Sequence, residues 1–273
     1  MPIQNITEVT DHELTALRWY RPLSRAGEHY RDGIFVAEGE KVVPRLLDSS
    51  NQIVSILLSI AWFKTLEERI ATRSELIDIY LIDKSGMEAL TGRSCYQPVK
   101  AVARIPRNLT VDELLSKRKS PSTYVAIEGV SNSENIGALI RNCVGLGADA
   151  ILVSSCASSP YLRRAVHVSM GTIFSIPVVD SCSLQASIRR LQEDQIYCLA
   201  AHPSADGKSL AMLDFPRDVC VVFGSEGAGI SESVLAQCDR AAAVPMAYGV
   251  DSLNVASSSA IFLYEIQRRL GRV

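Results

Sequence analysis

Three short segments hold the residues of this 273-residue chain that could do chemistry. The first is Gly224-Ser225-Glu226-Gly227-Ala228-Gly229, whose glycines let a backbone approach a ligand closely. They run G-x-x-G-x-G, which is neither the G-x-G-x-x-G of a dinucleotide loop nor a Walker loop ending in Gly-Lys-Ser/Thr. Glu226 would meet a polyphosphate as a like charge, so a neutral or cationic ligand suits this loop better. The plain alternative is that the glycines serve only the turn. The second segment is Asn135-Ile136-Gly137-Ala138-Leu139-Ile140-Arg141-Asn142. Asn135 is well placed to cap a helix, and Arg141, among small and apolar neighbours, is either paired structurally or aimed at a ligand. The third runs from Val244 through Pro245 and Met246 to Ser252-Leu253-Asn254. No G-x-S-x-G elbow is present for serine-hydrolase chemistry.

The elements that must carry these segments read as alternating strands and helices. Val219–Phe223 is a five-residue apolar run of the kind buried on both faces of a sheet. It runs into the glycine turn and then Ser231-Glu232-Ser233, a helix cap. This places the turn at the carboxyl edge of a sheet, where open α/β folds bind ligands. Around it the pattern predicts strands at Tyr124–Ile127, Ala150–Val153, Ile176–Val179, Ile196–Ala200 and Ala241–Val244. Helices are expected from Asn135 to Leu146, over Leu184–Glu193, and from Asn254 to about Leu270.

The first hundred residues read as a separate small α/β domain. Its expected strands are Ile34–Ala37, Ile53–Leu58, Ile77–Ile82 and Val99–Ile105, with parallel pairing. Helices are expected after Glu38, over Ala61–Ala71 and over Lys84–Leu90, with Pro44 in a first turn or at a kink. Near the start, Thr10-Asp11-His12-Glu13 resembles a capping box. Arg18, Arg21, Arg25 and Arg31 then cluster around Trp19, Tyr20 and Tyr30, an interleaving that suits phosphates and unstacked bases. Its plain alternative is a solvated face with Trp19 in the core. Residues 106–121 read as a linker with a short helix, and its cations could track a phosphate backbone. The division is therefore 1–105, a linker at 106–121, and 122–273.

Composition narrows the class. A 47% hydrophobic share is enough for a folded core, and a net charge of −2 excludes a generally basic nucleic-acid binder while leaving room for local basic faces. The amino terminus lacks the basic start and apolar core of a signal peptide, and the longest apolar stretch, Ile53–Phe63, is too short to span a bilayer. The 7 cysteines form no C-x-x-C pair and the 4 histidines are scattered, which argues for free thiols in a reducing cytoplasm and against a metal site.

Taken together and in this order, Asn135–Asn142, Val221–Ser231 and Val244–Val255 resemble the signature of the SpoU/TrmH-type RNA ribose 2′-O-methyltransferases of the SPOUT group. Tyr30-Arg31 to Phe35-Val36-Ala37-Glu38-Gly39-Glu40 is similar, less specifically, to the amino-terminal RNA-binding domain of many members. The resemblance implies a small amino-terminal α/β RNA-binding domain and a parallel-sheet α/β methyltransferase domain ending in a trefoil knot. It also implies S-adenosylmethionine as cofactor, RNA as substrate and a homodimer that completes the active site; the separate amino-terminal module favours ribosomal RNA, with tRNA possible, and the composition favours the cytoplasm with no membrane or metal. By position, Gly224, Val244, Met246 and Leu253 are the expected cofactor contacts. Asn135, Arg141, Glu226, Ser252 and Asn254 are the expected catalytic or site-shaping residues.

Two departures stand out: His167 occupies a place where members often carry a basic residue, and Ser257-Ser258-Ser259 is more polar than the usual small apolar run. A non-catalytic RNA-binding protein that kept the fold is the second reading, and a nucleotide-dependent oxidoreductase the third.

Overall fold

The computed structural model describes residues 5–11, 13–22, 27–92, 99–203, 209–247 and 249–272. The chain forms two compact units, one of Met1–Pro106 with Tyr161–Phe174, the other of Arg107–Pro160 with Ser175–Val273.

In chain order, the first unit contains β1 (Asn5–Glu8), α1 (Glu28–Arg31), β2 (Ile34–Glu38), α2 (Val42–Leu47) and β3 (Ile53–Leu58). It continues with α3 (Ile60–Ala71), β4 (Asp78–Leu81), α4 (Lys84–Thr91) and β5 (Val99–Arg104). The sheet order is β1-β4-β3-β5-β2. Strands β1, β4 and β3 are parallel, but β5 runs antiparallel to both β3 and β2. The all-parallel expectation is therefore corrected: apolar alternation marks strands but carries no information on their direction. Pro44 sits in the first turn of α2, where its missing N–H has no helical partner to lose.

The expected capping box at Thr10–Glu13 does not cap a helix. A short 3-10 helix at Thr15–Tyr20 begins without a side-chain cap, and Asp11 instead accepts from the Glu13 N–H at 2.9 Å. Tyr20, not Trp19, fills the core; it is fully buried and its hydroxyl meets the Ser55 hydroxyl at 2.7 Å. The Arg18 guanidinium lies 4.4 Å from the Trp19 ring centroid and also pairs with Asp32 at 3.1 Å. Arg25 lies outside the described residues.

Arg73 organises one corner of this unit. It bonds the Leu47, Ser49 and Asn51 carbonyls and the Glu75 carboxylate, whose other contact is the Ile53 N–H at 3.0 Å. Burial alone would raise the Glu75 pKa, but the bonds from Arg73 and Ile53 outweigh it and hold the carboxyl below its ordinary value. The two side chains are 12% and 17% exposed. Arg73→Ala strips three carbonyls and a carboxylate of their donor at once, and is expected to destabilise this unit by about 2–3 kcal/mol. A denaturant titration reporting on the first unit checks this; an unchanged midpoint would contradict it.

The segment Tyr161–Phe174 is the unexpected member of this unit. It contains α7 (Arg163–Val168). Tyr161 and Phe174 both pack on Phe35, with ring centroids 5.5 Å away in each case. Arg163 reaches Glu38 at 2.7 Å, and buried Lys100 reaches the same carboxylate at 3.2 Å. Burial would raise the Glu38 pKa; Arg163 and Lys100 overcome it and lower it to about 2. His167 Nδ1 lies 3.4 Å from the Glu38 carbonyl. His167 and Arg163 are thus engaged with β2, a role that neither local sequence nor spacing shows.

The second unit contains α5 (Val111–Ser116), β6 (Thr123–Ile127), α6 (Ser133–Gly145), β7 (Ala150–Ser154), β8 (Val178–Ser181) and α8 (Leu184–Glu193). β9 (Tyr197–Ala201), β10 (Val219–Phe223), α9 (Glu232–Leu235), β11 (Arg240–Ala242) and α10 (Val255–Arg269) complete it. Its sheet has the order β11-β9-β10-β6-β7-β8, and every pairing is parallel. β6, β7 and β10 are buried along their whole length, as uninterrupted apolar runs require. The stretch expected as a linker differs from that expectation. From Arg107 onward it belongs to this unit: Leu109 bridges Val179, Thr110 and Glu113 form a capping box, and Leu114 and Leu115 enter the core.

Cys143, Cys198 and Cys220 are buried free thiols, whereas Cys156 and Cys182 are exposed. Among the described residues no helix is long and apolar enough to cross a membrane.

Candidate active site

The chain order β6, β7, β8 fills one side of the second sheet, and β9, β10 and β11 fill the other. Ligands of open α/β sheets bind at the carboxyl ends of strands beside such a reversal. A cavity of about 550 Å³ lies there, lined by residues that follow β9, β10 and β11 and by the start of α10. Gly224, Glu226, Val244, Met246, Ser252, Leu253 and Asn254 all line it. Segments separated by some twenty residues of sequence thus meet at one wall because their strands are near neighbours.

The glycine segment folds back on itself. Ser225 and Gly229 exchange backbone hydrogen bonds, each N–H to the other's carbonyl at 3.0 Å. Gly229 has a φ of +69°, which favours glycine. Gly224 is required for a different reason: a Cβ there would lie 2.1 Å from the Gly229 carbonyl carbon and 2.3 Å from the Ile230 nitrogen. Gly227 has neither constraint, since a Cβ there meets no atom within 4 Å. The turn therefore accounts for two of the glycines and leaves Gly227 free of any steric demand from the fold.

Asn135 is not the helix cap. Asn132 takes that position, accepting from the Glu134 N–H at 2.8 Å. Asn135 lies inside the first turn of α6, and its side-chain N–H₂ donates to Glu226 Oε1. Its Oδ1 accepts from Asn254 Nδ2 at 3.0 Å, while Asn254 Oδ1 caps α10 by accepting from the Ala256 N–H at 2.9 Å. Each amide has one orientation in this chain: the α10 cap needs an acceptor, which turns the Asn254 amide nitrogen toward Asn135 and the Asn135 nitrogen toward Glu226. Three sequence-predicted residues, one per motif, are joined in a single line.

Asn142 adds a second tie between α6 and α10. It donates to the Ala256 carbonyl at 2.6 Å and to the Ser259 hydroxyl at 3.0 Å. Ser259 is fully buried, and this bond explains why a polar residue is tolerated in the serine run. Sequence reading passed over Asn142 because a mid-helix asparagine carries no distinctive signal by itself. It also passed over His202, which lines the cavity from the end of β9, between the two loops. Its one local mark is that it directly follows an apolar run.

Arg141 is not brought to the cavity wall. It is exposed on α6, and among the described residues it has no hydrogen-bond or ion-pair partner. It lies six positions after Asn135, which is about 120° around the helix and roughly 9 Å along it. Near the cavity, Val250 and Leu253 are exposed apolar residues, and on α10 Ile261 and Tyr264 remain 39% and 53% exposed. Among the described residues no group of His, Cys, Asp and Glu is arranged to hold a metal ion.

Chemically, the cavity offers two carboxylates, Asp251 and a Glu226 held by the Asn135 amide, the main chain of the glycine turn, and apolar groups at Phe223, Val244, Met246, Leu253 and Phe262. That combination fits a cationic group attached to a flat apolar one.

Comparison with known proteins shows what the chain is similar to. Residues 122–264 match the SpoU rRNA Methylase family. An uncharacterized tRNA/rRNA methyltransferase of Mycobacterium tuberculosis is 27% identical, over 98% of this chain and 93% of its own length. The 23S rRNA (guanosine-2′-O-)-methyltransferase of Ralstonia nicotianae is 28% identical over 68% of this chain and 75% of its own. Among solved structures, the AdoMet-bound rRNA methyltransferase of Sinorhizobium meliloti superposes with a TM-score of 0.82 at 23% identity, covering 97% of this chain and 98% of that one. The SpoU methyltransferase AviRb of Streptomyces viridochromogenes, in complex with AdoMet, gives 0.80 at 21% identity, covering 94% and 98%. These two likenesses show the α/β fold.

Proposed function

We propose, because this chain belongs to the SpoU rRNA methylase family, that it methylates a ribose 2′-hydroxyl of RNA using S-adenosylmethionine, ribosomal RNA being favoured over tRNA. The observation that carries this reading is the line Glu226–Asn135–Asn254 beside the cavity. The cofactor supplies a methyl group on a cationic sulfonium. The residues present fit it: Glu226 places a carboxylate at the wall where a cation is welcome and a polyphosphate is not. Gly224, Val244, Met246 and Leu253 would hold it, the first by close backbone approach and the others through their apolar surface. The AdoMet complexes of the Sinorhizobium and Streptomyces proteins support the same choice.

Methyl transfer to a hydroxyl needs an in-line approach and removal of the hydroxyl proton. Arg141 stays protonated, since guanidinium pKa values exceed ~12. Its role in this proposal is to hold the target phosphate and stabilise the developing alkoxide. Asn135 and Asn254 fix Glu226, and Ser252 shapes the mouth of the cavity.

The proposal includes a homodimer. Arg141 lies off the wall of its own chain's cavity, and exposed Val250, Leu253, Ile261 and Tyr264 are apolar surface that a second copy would cover. A partner chain would then supply Arg141. The proposal also includes the carboxyl-terminal trefoil knot; its support is that the chain reaches the edge strand β11 and then returns to pack α10 on α6 and β10. It places the protein in the cytoplasm.

The first unit is proposed as the RNA-binding domain, on Arg18 over Trp19 and on exposed Tyr30 near Arg31. Base stacking on an aromatic ring contributes roughly 1–3 kcal/mol. Tyr30→Ala is accordingly expected to raise KM for RNA about 5–50-fold with kcat little changed. An equal fall in kcat with unchanged KM would contradict a docking role.

Calorimetric titration tests the cofactor reading: S-adenosylmethionine is expected to bind one site per chain and NAD to give no heat. Binding of NAD instead would favour an oxidoreductase.

A further inference from the structure

The residue that follows β6 stands outside the line through Glu226, yet it grips the same glycine turn. Half-buried Glu128 accepts from the Ser231 N–H at 2.8 Å through Oε2 and from the Ser231 hydroxyl at 2.7 Å through Oε1. Its own N–H donates to the Phe223 carbonyl at 2.8 Å. Phe223 is the last residue before the turn and Ser231 the first after Ile230, so one residue holds the turn at both ends. The Ser231 hydroxyl also accepts from the Val234 N–H at 3.3 Å, which ties the start of α9 to the same point.

The turn needs such a tie. Between Phe223 and Ile230, which are both buried, it has only Gly, Ser, Glu and Ala, so its interior has no large apolar side chain to anchor it. Three glycines raise the entropy cost of keeping one conformation. An ionised carboxylate is an acceptor only and bonds more strongly than a neutral group; Glu128 presents one oxygen to each donor of Ser231.

We propose that Glu128 is a positioning residue of the cofactor site, its carboxylate latching Ser231 so that the Gly224–Ile230 turn keeps the conformation that presents Glu226 and the main chain to the cofactor. This rests on the cofactor reading given above. When the latch is removed, the turn is binding-competent for only part of the time, and the apparent affinity falls by that fraction.

The test uses the full chain. In hydrogen exchange on the unliganded protein, Glu128→Ala is expected to speed exchange across residues 225–231 by about tenfold or more, leaving β6 and β10 protected. In calorimetry the same variant should bind S-adenosylmethionine about tenfold more weakly, with kcat at saturating cofactor within about twofold of the parent. Glu128→Gln keeps an acceptor for the Ser231 N–H and gains a donor for its hydroxyl, and should restore both readouts. Ser231→Ala also removes the α9 cap, so the double variant should lose less than the sum of the two single losses, the part of the Ser231→Ala effect that runs through Glu128 being already gone.

Unchanged exchange in Glu128→Ala, additive effects in the double variant, or faster exchange with unchanged affinity would each overturn the proposal. A parent chain that does not bind S-adenosylmethionine defeats the cofactor reading instead. The exchange comparison then still decides whether Glu128 latches the turn.

Discussion

Gly224→Ala is expected to abolish cofactor binding, raising Kd in a calorimetric titration by about a hundredfold or more. The added Cβ would sit 2.1 Å from the Gly229 carbonyl carbon, 2.3 Å from the Gly229 oxygen and 2.3 Å from the Ile230 nitrogen. All three are main-chain atoms, so no rotamer change relieves the clash, and the turn has to open. Overpacking usually costs roughly 1–3 kcal/mol where side chains can shift; here they cannot. Opening the turn breaks the Ser225–Gly229 bonds and moves Glu226 away from Asn135. Gly227→Ala is the matched control, because its Cβ meets no atom within 4 Å; that variant should fold and melt like the parent. Binding by Gly224→Ala at parental affinity would show that the cofactor does not depend on this turn.

Arg141→Ala is expected to leave cofactor affinity within about twofold of the parent and to lower kcat about 10²–10³-fold, the usual effect of removing one preorganised electrostatic group. The separation of the two effects follows from geometry: Arg141 is exposed on α6 and does not line the cavity. Arg141→Lys keeps the charge but not the planar fork, and should retain part of the activity. The proposed dimer adds a sharper expectation. Arg141→Ala and Gly224→Ala chains should each be severely impaired alone, but a mixed dimer pairs an intact cavity with an intact arginine from the other chain, so activity should partly return. Full parental activity in Arg141→Ala would remove the arginine from the account.

Much of the site was legible because its chemistry is concentrated in contiguous residues. The buried run Val219–Phe223, the glycine turn and the Ser231 cap appear with the expected bounds, since strand, turn and cap are each coded locally. Cavity-lining residues of the third segment could be named for the same reason. What escaped depends on partners distant in sequence. Asn135 looks like a cap from its own surroundings, and only the contact with Glu226 and Asn254 shows otherwise. Ser259 looks out of place until Asn142 is seen to donate to it. In the first unit, the direction of β5 and the packing of Tyr161 and Phe174 on Phe35 are set by tertiary contacts that no periodicity encodes. His167 is the clearest case: the resemblance marks it only as standing where a basic residue is usual, and its ring nitrogen lies 3.4 Å from the Glu38 carbonyl.

The measurement that bears most directly on the central claim is transfer of a labelled methyl group from S-adenosylmethionine to total RNA from cells lacking this gene, with ribosomal RNA separated from tRNA. The account predicts label in the ribosomal fraction at a position that resists alkaline cleavage, because a methylated 2′-oxygen cannot attack the neighbouring phosphate. Label at a position that remains alkali-sensitive would contradict ribose methylation. Absence of label in every RNA fraction, free or within ribosomal particles, would contradict the enzyme itself and leave a non-catalytic RNA-binding protein.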